Sequence, residues 1–330
     1  IIYKASMGIQ IHDPRTKWGD DLYLLLGQAY FYKGNYNEAS ASFRYILSLR
    51  DKRKKKPNQS ESLYTKKSGK GLSIAQEEKK GMLSFLQHRS VHNESLLWLS
   101  RTYTQMKQEG NAESVIDLLE TDPNFPKDMQ GRLALEKSFI YLNQKDYKAA
   151  ATQLNIVADD NNMPNWMRMR SAFIAGQISQ SRGEYTASAA SFRKVIDLNP
   201  KVDMDFYARK NLAYSMMYAG GAQEESIASL KKVLNDGKYQ PYYEQVYYIL
   251  GRLSANSGNN AEAINYLNEG IRSPKSTPKQ KGLSFATLGG VYYKLGEYEA
   301  AKNAYDSASA FASYMPGDSL IELAVKRSAA

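Results

Sequence analysis

The histidines are the first place where residue type and spacing could support chemistry. His88 and His92 lie four apart, with Glu94 close by. On one helix that spacing lets two imidazoles share a metal. The only other histidine is His12, and no HExxH pattern is present. The pair therefore reads as polar residues at a helix entry, and no metal is expected. Ser68-Gly69-Lys70-Gly71 sets glycine beside lysine as a phosphate loop does. The first glycine of such a loop is missing from its required spacing and no strand precedes it, so a basic loop is the better account. Carboxylates pair at Asp20-Asp21, Glu77-Glu78, Asp159-Asp160 and Glu224-Glu225. Each pair falls at a predicted helix start, loop or helix surface, and the helix dipole favours acidic residues at helix starts. No Ser/His/Asp set and no nucleophile elbow is apparent. The chain has no cysteine, which excludes a disulfide, a zinc–thiolate site and a thiol nucleophile within it. A non-enzymatic protein is expected, without catalytic residues, cofactor or small-molecule substrate.

The charge is unevenly placed. Between Arg50 and Lys80 there are eleven Lys/Arg against four Asp/Glu, a net +7, while the whole 330-residue chain is +10. The stretch contains Lys52, Arg53, Lys54, Lys55 and Lys56, followed by Pro57, Ser60, Gly69 and Gly71. Such composition predicts a flexible basic insertion over 51–81. Nucleic acid or anionic lipid would be attracted to it electrostatically. Tyr64 is its only aromatic residue for stacking, so nucleic acid is not the expected partner. Order is expected to return at Met82, Leu83, Phe85 and Leu86, as a short helix.

The elements outside this insertion follow one plan. In residues 20–47, Tyr23, Leu26, Gly27 and Tyr30 share one face of a first helix. Gly34 breaks the helix, and Ala39, Phe43 and Ile46 line the inner face of a second one. Gly27 and Ala39 stand where two backbones must approach closely, with Tyr30 and Phe43 filling the space beside them. The small residue of the first helix recurs at Ser100, Ser138, Gly176, Ala213, Gly251 and Gly289, at intervals of 73, 38, 38, 37, 38 and 38. The small residue of the second helix recurs at Ala112, Ala150, Ser188, Ser226, Ala263 and Ala301. A large residue follows each by four, at Ile116, Leu154, Phe192, Leu230, Leu267 and Tyr305. Gly183, Gly220, Gly258 and Gly296 match Gly34 at the turn, where positive φ suits glycine. Trp18, Trp98 and Trp166 fall at hairpin entries or on first helices, and core packing is the expectation for each. The same is expected for Tyr30, Tyr103, Tyr141 and Tyr292. Residues 1–10 read as the last helix of an earlier hairpin. The first residue is not Met and no signal-peptide pattern precedes Ile1, so a fragment or a processed form is expected. Residues 318–328 read as a helix covering the last hairpin, capped by Asp318 or Ser319.

This register resembles the tetratricopeptide repeat, whose unit is about 34 residues. The resemblance implies an all-α, TPR-like α-solenoid. It would be a right-handed superhelix of about seven hairpins plus terminal helices, in one domain over 1–330. In such a stack the first helices line a concave wall. Residues three before, one after and four after each small residue then face the groove. They include Leu24, Gln28, Phe31, Leu135, Phe139, Leu142, Phe173, Gln177, Gln180, Lys210, Tyr214, Met217, Tyr248, Arg252 and Tyr293. Large apolar and aromatic side chains there point to a docked peptide or helix, with the convex face and the loops as rivals.

Two stretches narrow the resemblance. Lys17-Trp18 with DDLYLLLGQAYFYKG from Asp20, and Asn93-Glu94-Ser95-Leu96-Leu97-Trp98-Leu99-Ser100-Arg101-Thr102-Tyr103, are similar to the repeat region of the SprE/PorW lipoproteins of type IX secretion and gliding motility. The basic insertion ending in Phe85-Leu86-Gln87-His88-Arg89 fits the same pattern. That resemblance implies a protein-binding scaffold on the periplasmic face of the outer membrane, linking the secretion translocon to ring and motor components. Its members are anchored through a lipidated cysteine, which this sequence does not contain. The alternative is a nucleic-acid-associated or general adaptor that uses the basic insertion.

Overall fold

A computed structural model describes residues 1–12, 18–54, 74–75, 91–220 and 224–329, with backbone alone for 50–54. Among these residues there are sixteen α-helices and no strand. They fall into two compact units, 1–171 and 172–330. The first holds α1 (Ile2–Ile11), α2 (Gly19–Lys33), α3 (Tyr36–Lys54), α4 (His92–Gln105), α5 (Glu109–Glu120), α6 (Gln130–Asn143) and α7 (Tyr147–Asp159). The boundary falls inside α8 (Asn165–Ser181). The second holds α9 (Tyr185–Asp197), α10 (Val202–Ala219), α11 (Glu224–Leu234), α12 (Tyr243–Asn256), α13 (Asn260–Arg272), α14 (Pro278–Leu295), α15 (Tyr298–Ser309) and α16 (Ser319–Ser328). The seven expected hairpins are α2/α3, α4/α5, α6/α7, α8/α9, α10/α11, α12/α13 and α14/α15, a TPR-like helical repeat.

The hairpins α2/α3, α4/α5, α8/α9 and α12/α13 close on the predicted small residues. A Cβ added to Gly27 would lie 2.5 Å from Phe43 Cε1, at Gly176 2.9 Å from Phe192 Cζ, and at Gly251 2.6 Å from Leu267 Cγ. The Ser100 hydroxyl donates to the Ala112 carbonyl at 3.1 Å, and that of Ser188 to the Gly176 carbonyl at 2.9 Å. Phe43, Phe192, Leu230 and Leu267 are fully buried beside these crossings. Each such side chain contributes about 1.5–3 kcal/mol of transfer free energy.

The turns share one hydrogen-bond pattern. Gly34 N–H donates to the Phe31 carbonyl and Asn35 N–H to that of Tyr30. The same pair of bonds recurs after α8, α12 and α14, with glycine at positive φ. It also recurs after α4 and α6, where Lys107 (φ 58°) and Lys145 (φ 61°) hold the left-handed position. This is the Schellman arrangement that satisfies the last carbonyls of a helix.

Several expectations change. Trp18 and Trp166 are 59% and 54% exposed, because each stands at the entry of its first helix, before the face that meets the second. Trp98 does pack, against Phe31, Tyr32 and Phe43. Asp51 to Lys54, expected in the insertion, continue α3. Most of 55–90 lies outside the described residues, including Lys55, Lys56, the Ser68–Gly71 loop, His88 and the helix expected near Met82. Within it, Ile74 and Ala75 are docked on the first unit: both amides donate to Asp122 Oδ2, at 2.6 and 2.7 Å. Ala75 is fully buried with Leu96, Ala112, Ile116 and Leu119.

The first unit also buries charge. Arg101 grips Glu136 through two bonds, Nε to Oε2 at 2.8 Å and Nη2 to Oε1 at 2.5 Å. Its guanidinium lies 4.7 Å from the Trp98 ring centre and 4.9 Å from that of Phe139. Burial pushes the Glu136 carboxyl up from its ordinary range, against the downward pull of Arg101. At the other end of the chain, Asp318 caps α16 by accepting from the Leu320 and Ile321 amides. Ile321 and Ala324 of α16 are buried in a cluster with Ala301, Tyr305 and Ala308 of α15.

Two outcomes are expected from urea denaturation followed by circular dichroism. At Gly289 an added Cβ would sit 2.7 Å from Tyr305, whereas at Gly290 the nearest atom is 3.8 Å away. Gly289→Ala should cost about 1–3 kcal/mol by overpacking, while Gly290→Ala should gain up to about 1 kcal/mol of helix propensity. Glu136→Ala strands Arg101 and should cost about 3 kcal/mol; the apolar pair Arg101→Met/Glu136→Leu should recover most of that loss. Equal effects at the two glycines, or no recovery in the pair, would contradict these assignments.

Candidate binding groove

In the second unit the first helices each present one stripe of side chains to a common depression. On α10 the stripe is Lys210, Tyr214 and Met217, at i, i+4 and i+7, and on α12 it is Gln245, Tyr248 and Arg252. The end of α8 adds Gln180, and α14 adds Lys279, Gln280 and Leu283. Together with Asn211, Glu244, Ile249 and Thr277 they line a groove of about 490 Å³.

Its polar groups are held in place. Gln180 Nε2 donates to Ser215 Oγ at 3.0 Å and to the Asn211 carbonyl at 3.2 Å. Lys210 Nζ donates to Gln245 Oε1 at 3.0 Å. Burial, helped by the charge of Lys279, holds the Lys210 ammonium below its ordinary range. Glu244, almost fully buried, accepts from the Thr277 amide at 2.5 Å, just before the first turn of α14. Beside the groove, Tyr185, Tyr214 and Tyr218 form a cluster, with ring centres 4.6 Å apart for Tyr214–Tyr218 and 5.2 Å for Tyr185–Tyr218. Arg252 joins it: Nη2 donates to Tyr218 Oη at 3.3 Å, and the guanidinium lies 5.8 Å from the Tyr248 ring centre. That hydrogen bond holds the Tyr218 phenol below its ordinary range.

Six of the residues expected on the concave wall thus come together: Gln180, Lys210, Tyr214, Met217, Tyr248 and Arg252. The others do not line this groove. Leu24 is in the core with Phe43, Ile46 and Leu99. Phe31 meets Tyr36 and Trp98 edge-on, and Phe139 lies under Arg101. Leu135 packs on the cluster of Ala134, Val157 and Met163. Phe173 meets Phe192 edge-on at 5.4 Å. Gln28 and Leu142 are half-buried, and Gln177 is exposed. Tyr293 is half-exposed, with the Arg327 guanidinium of α16 5.0 Å from its ring centre. The expected stripe stopped three residues before each small residue. Continuing it toward the helix start at the same spacing reaches Gln245 and Glu244 on α12, and Leu283, Gln280 and Lys279 on α14.

The remaining candidates are placed as follows. His92 Nε2 donates to the Ile74 carbonyl at 2.9 Å. Among the described residues no three His, Asp or Glu side chains converge as metal ligands. The side chains of Lys52, Arg53, Lys54, Lys55 and Lys56 lie outside the described residues. Among the described residues no helix is long and apolar enough to cross a membrane.

The tetratricopeptide repeat model matches residues 20–53, 170–202, 244–276 and 284–310, which correspond to α2/α3, α8/α9, α12/α13 and α14/α15. No curated protein sequence matches the chain. Among solved structures, the apo form of RapI is similar at a TM-score of 0.52 and 10% identity, over 93% of this chain and 79% of that one. A tetratricopeptide repeat protein from Parabacteroides merdae is similar at 0.39 and 13% identity, over 94% and 99%. The TPR domain of P58(IPK) is similar at 0.29 and 12% identity, over 94% and 78%. The tetratricopeptide repeat model thus detects repeats in four of the seven hairpins, and the fold is a TPR-like helical repeat.

Proposed function

We propose that this chain is a non-enzymatic scaffold that captures a segment of another polypeptide in the groove of its second unit. The observation that carries this is the convergence of Tyr214, Met217, Tyr248 and Ile249 with the amides of Gln180 and Gln245 around one open depression. Apolar and aromatic side chains supply contact area, and a few fixed polar groups set orientation. Ile249 also belongs to the core, and Met217 and Tyr248 rest on it, while Tyr214 is 38% exposed, so the depression is floored by core side chains and walled by open ones.

The wider setting rests on the resemblance to the SprE/PorW repeat region. In that setting the scaffold faces the periplasm from the outer membrane and joins the type IX translocon to ring and motor components in secretion and gliding. The stretches Asp20–Gly34 and Asn93–Tyr103 support it. Co-purification of tagged protein from native cell envelopes, with identification of partners by mass spectrometry, tests it: recovery without any secretion component counts against that setting.

The groove is tested separately. Random peptides displayed on phage are selected on the purified chain, and enriched sequences are measured by fluorescence anisotropy. Tyr214→Ala/Met217→Ala should weaken their binding about tenfold or more, as expected for central aromatic contacts. Tyr214 is 38% exposed, so helicity should be retained. Peptides that bind the variant and the parent equally well would remove the groove from consideration.

A further inference from the structure

The groove carries an imbalance of charge that the described residues do not resolve. Lys210, Arg252 and Lys279 all line it. Among the described residues none of the three forms an ion pair with a carboxylate: Lys210 is bonded to the Gln245 amide and Arg252 to the Tyr218 phenol. Glu244 is the only acidic residue in the lining, and its carboxylate is buried against the start of α14.

The first unit shows what a neutralised version looks like. Arg101 follows Ser100 as Arg252 follows Gly251, so the two arginines hold the same place in the repeat. Arg101 receives both oxygens of Glu136, two residues before Ser138 on the next first helix. The equivalent place before Gly289 is Thr287. The counter-charge present in one unit is thus replaced by a neutral side chain in the other. Lys210 is disfavoured as a cation by its burial and by Lys279, and a carboxylate paired with it would offset both effects.

Resting on the groove function above, we propose that the captured segment is acidic. Its carboxylates pair with Lys210, Arg252 and Lys279, and an apolar residue between them packs on Met217, Ile249 and Leu283. Charge complementarity of this kind sets register and speeds encounter. An acidic polypeptide fits better than RNA or DNA, because Met217, Ile249 and Leu283 give the lining aliphatic contact area that suits an apolar side chain better than a stacked base.

The test uses one fluorescein-labelled peptide enriched on the intact chain, a copy with every Asp and Glu changed to Asn and Gln, and labelled oligouridylate. The enriched peptides should be acidic, and the amide copy should bind about tenfold weaker or worse. Lys210→Ala, Arg252→Gln and Lys279→Ala should each weaken the acidic peptide several-fold and leave the amide copy unchanged. Lys279→Glu should restore binding of a copy with lysine in place of one carboxylate. Neutral or basic enriched peptides that still depend on Tyr214 and Met217 would overturn the acidic assignment while leaving the groove in place. Peptides indifferent to Tyr214, Met217 and the three cations would overturn both. Oligouridylate binding more tightly than the peptide, with the same dependence on the cations, would reassign the site to nucleic acid.

Discussion

Two helix backbones can approach closely only where one of them carries almost no side chain, and the molecule depends on that contact in every repeat. Gly27, Gly176, Gly251 and Gly289 leave room for Phe43, Phe192, Leu267 and Tyr305. At Ser100 the hydroxyl is used inside the crossing, donating to the Ala112 carbonyl across the hairpin. Fixing the crossing fixes the rotation of each first helix about its axis. The rotation then decides which stripe is buried in the hairpin and which is left to meet something else. Lys210, Tyr214 and Met217 belong to the second stripe because Ala213 belongs to the first.

The fold was therefore largely legible in the sequence. A period of about 38, the alternation of small and large residues, and the glycine turns all report on the crossing, which is local. What was less legible depends on the neighbouring hairpin. Leu24 falls in the groove register, yet it is core because α3 and α4 close over it. Trp18 and Trp166 are large and apolar, yet exposed, because hairpin entries precede the packed face. The pin between Asp122 and the Ile74 and Ala75 amides joins residues almost fifty positions apart, and no spacing rule reaches it. The groove was half visible. Its α10 stripe follows from the crossing residue, but the α12 and α14 stripes run toward the helix starts, beyond a single turn from Gly251 and Gly289.

The two units put the same repeat positions to different uses. In the first, Phe31, Leu135, Phe139 and Arg101 are drawn into packing and a buried ion pair, and the stripe is consumed in holding hairpins together. In the second, the matching positions carry Tyr214 and Arg252, which meet tyrosine rings and a hydroxyl, and Tyr248, which rests one side on the core and turns the other to the groove. A repeat scaffold can in this way devote one stretch to rigidity and another to recognition without altering the crossing that both share.

The turn lysines add a mechanical consequence. Lys107 and Lys145 sit in the left-handed region that glycine occupies after α2, α8, α12 and α14. A Cβ there carries a cost of roughly 1–2 kcal/mol. The tips of α4/α5 and α6/α7 are consequently sprung while the glycine tips are relaxed. Less work is needed to fray a sprung tip, so amide exchange should quicken at these two points first, and compliance along the array is set by backbone torsion at its outermost residues as well as by its core.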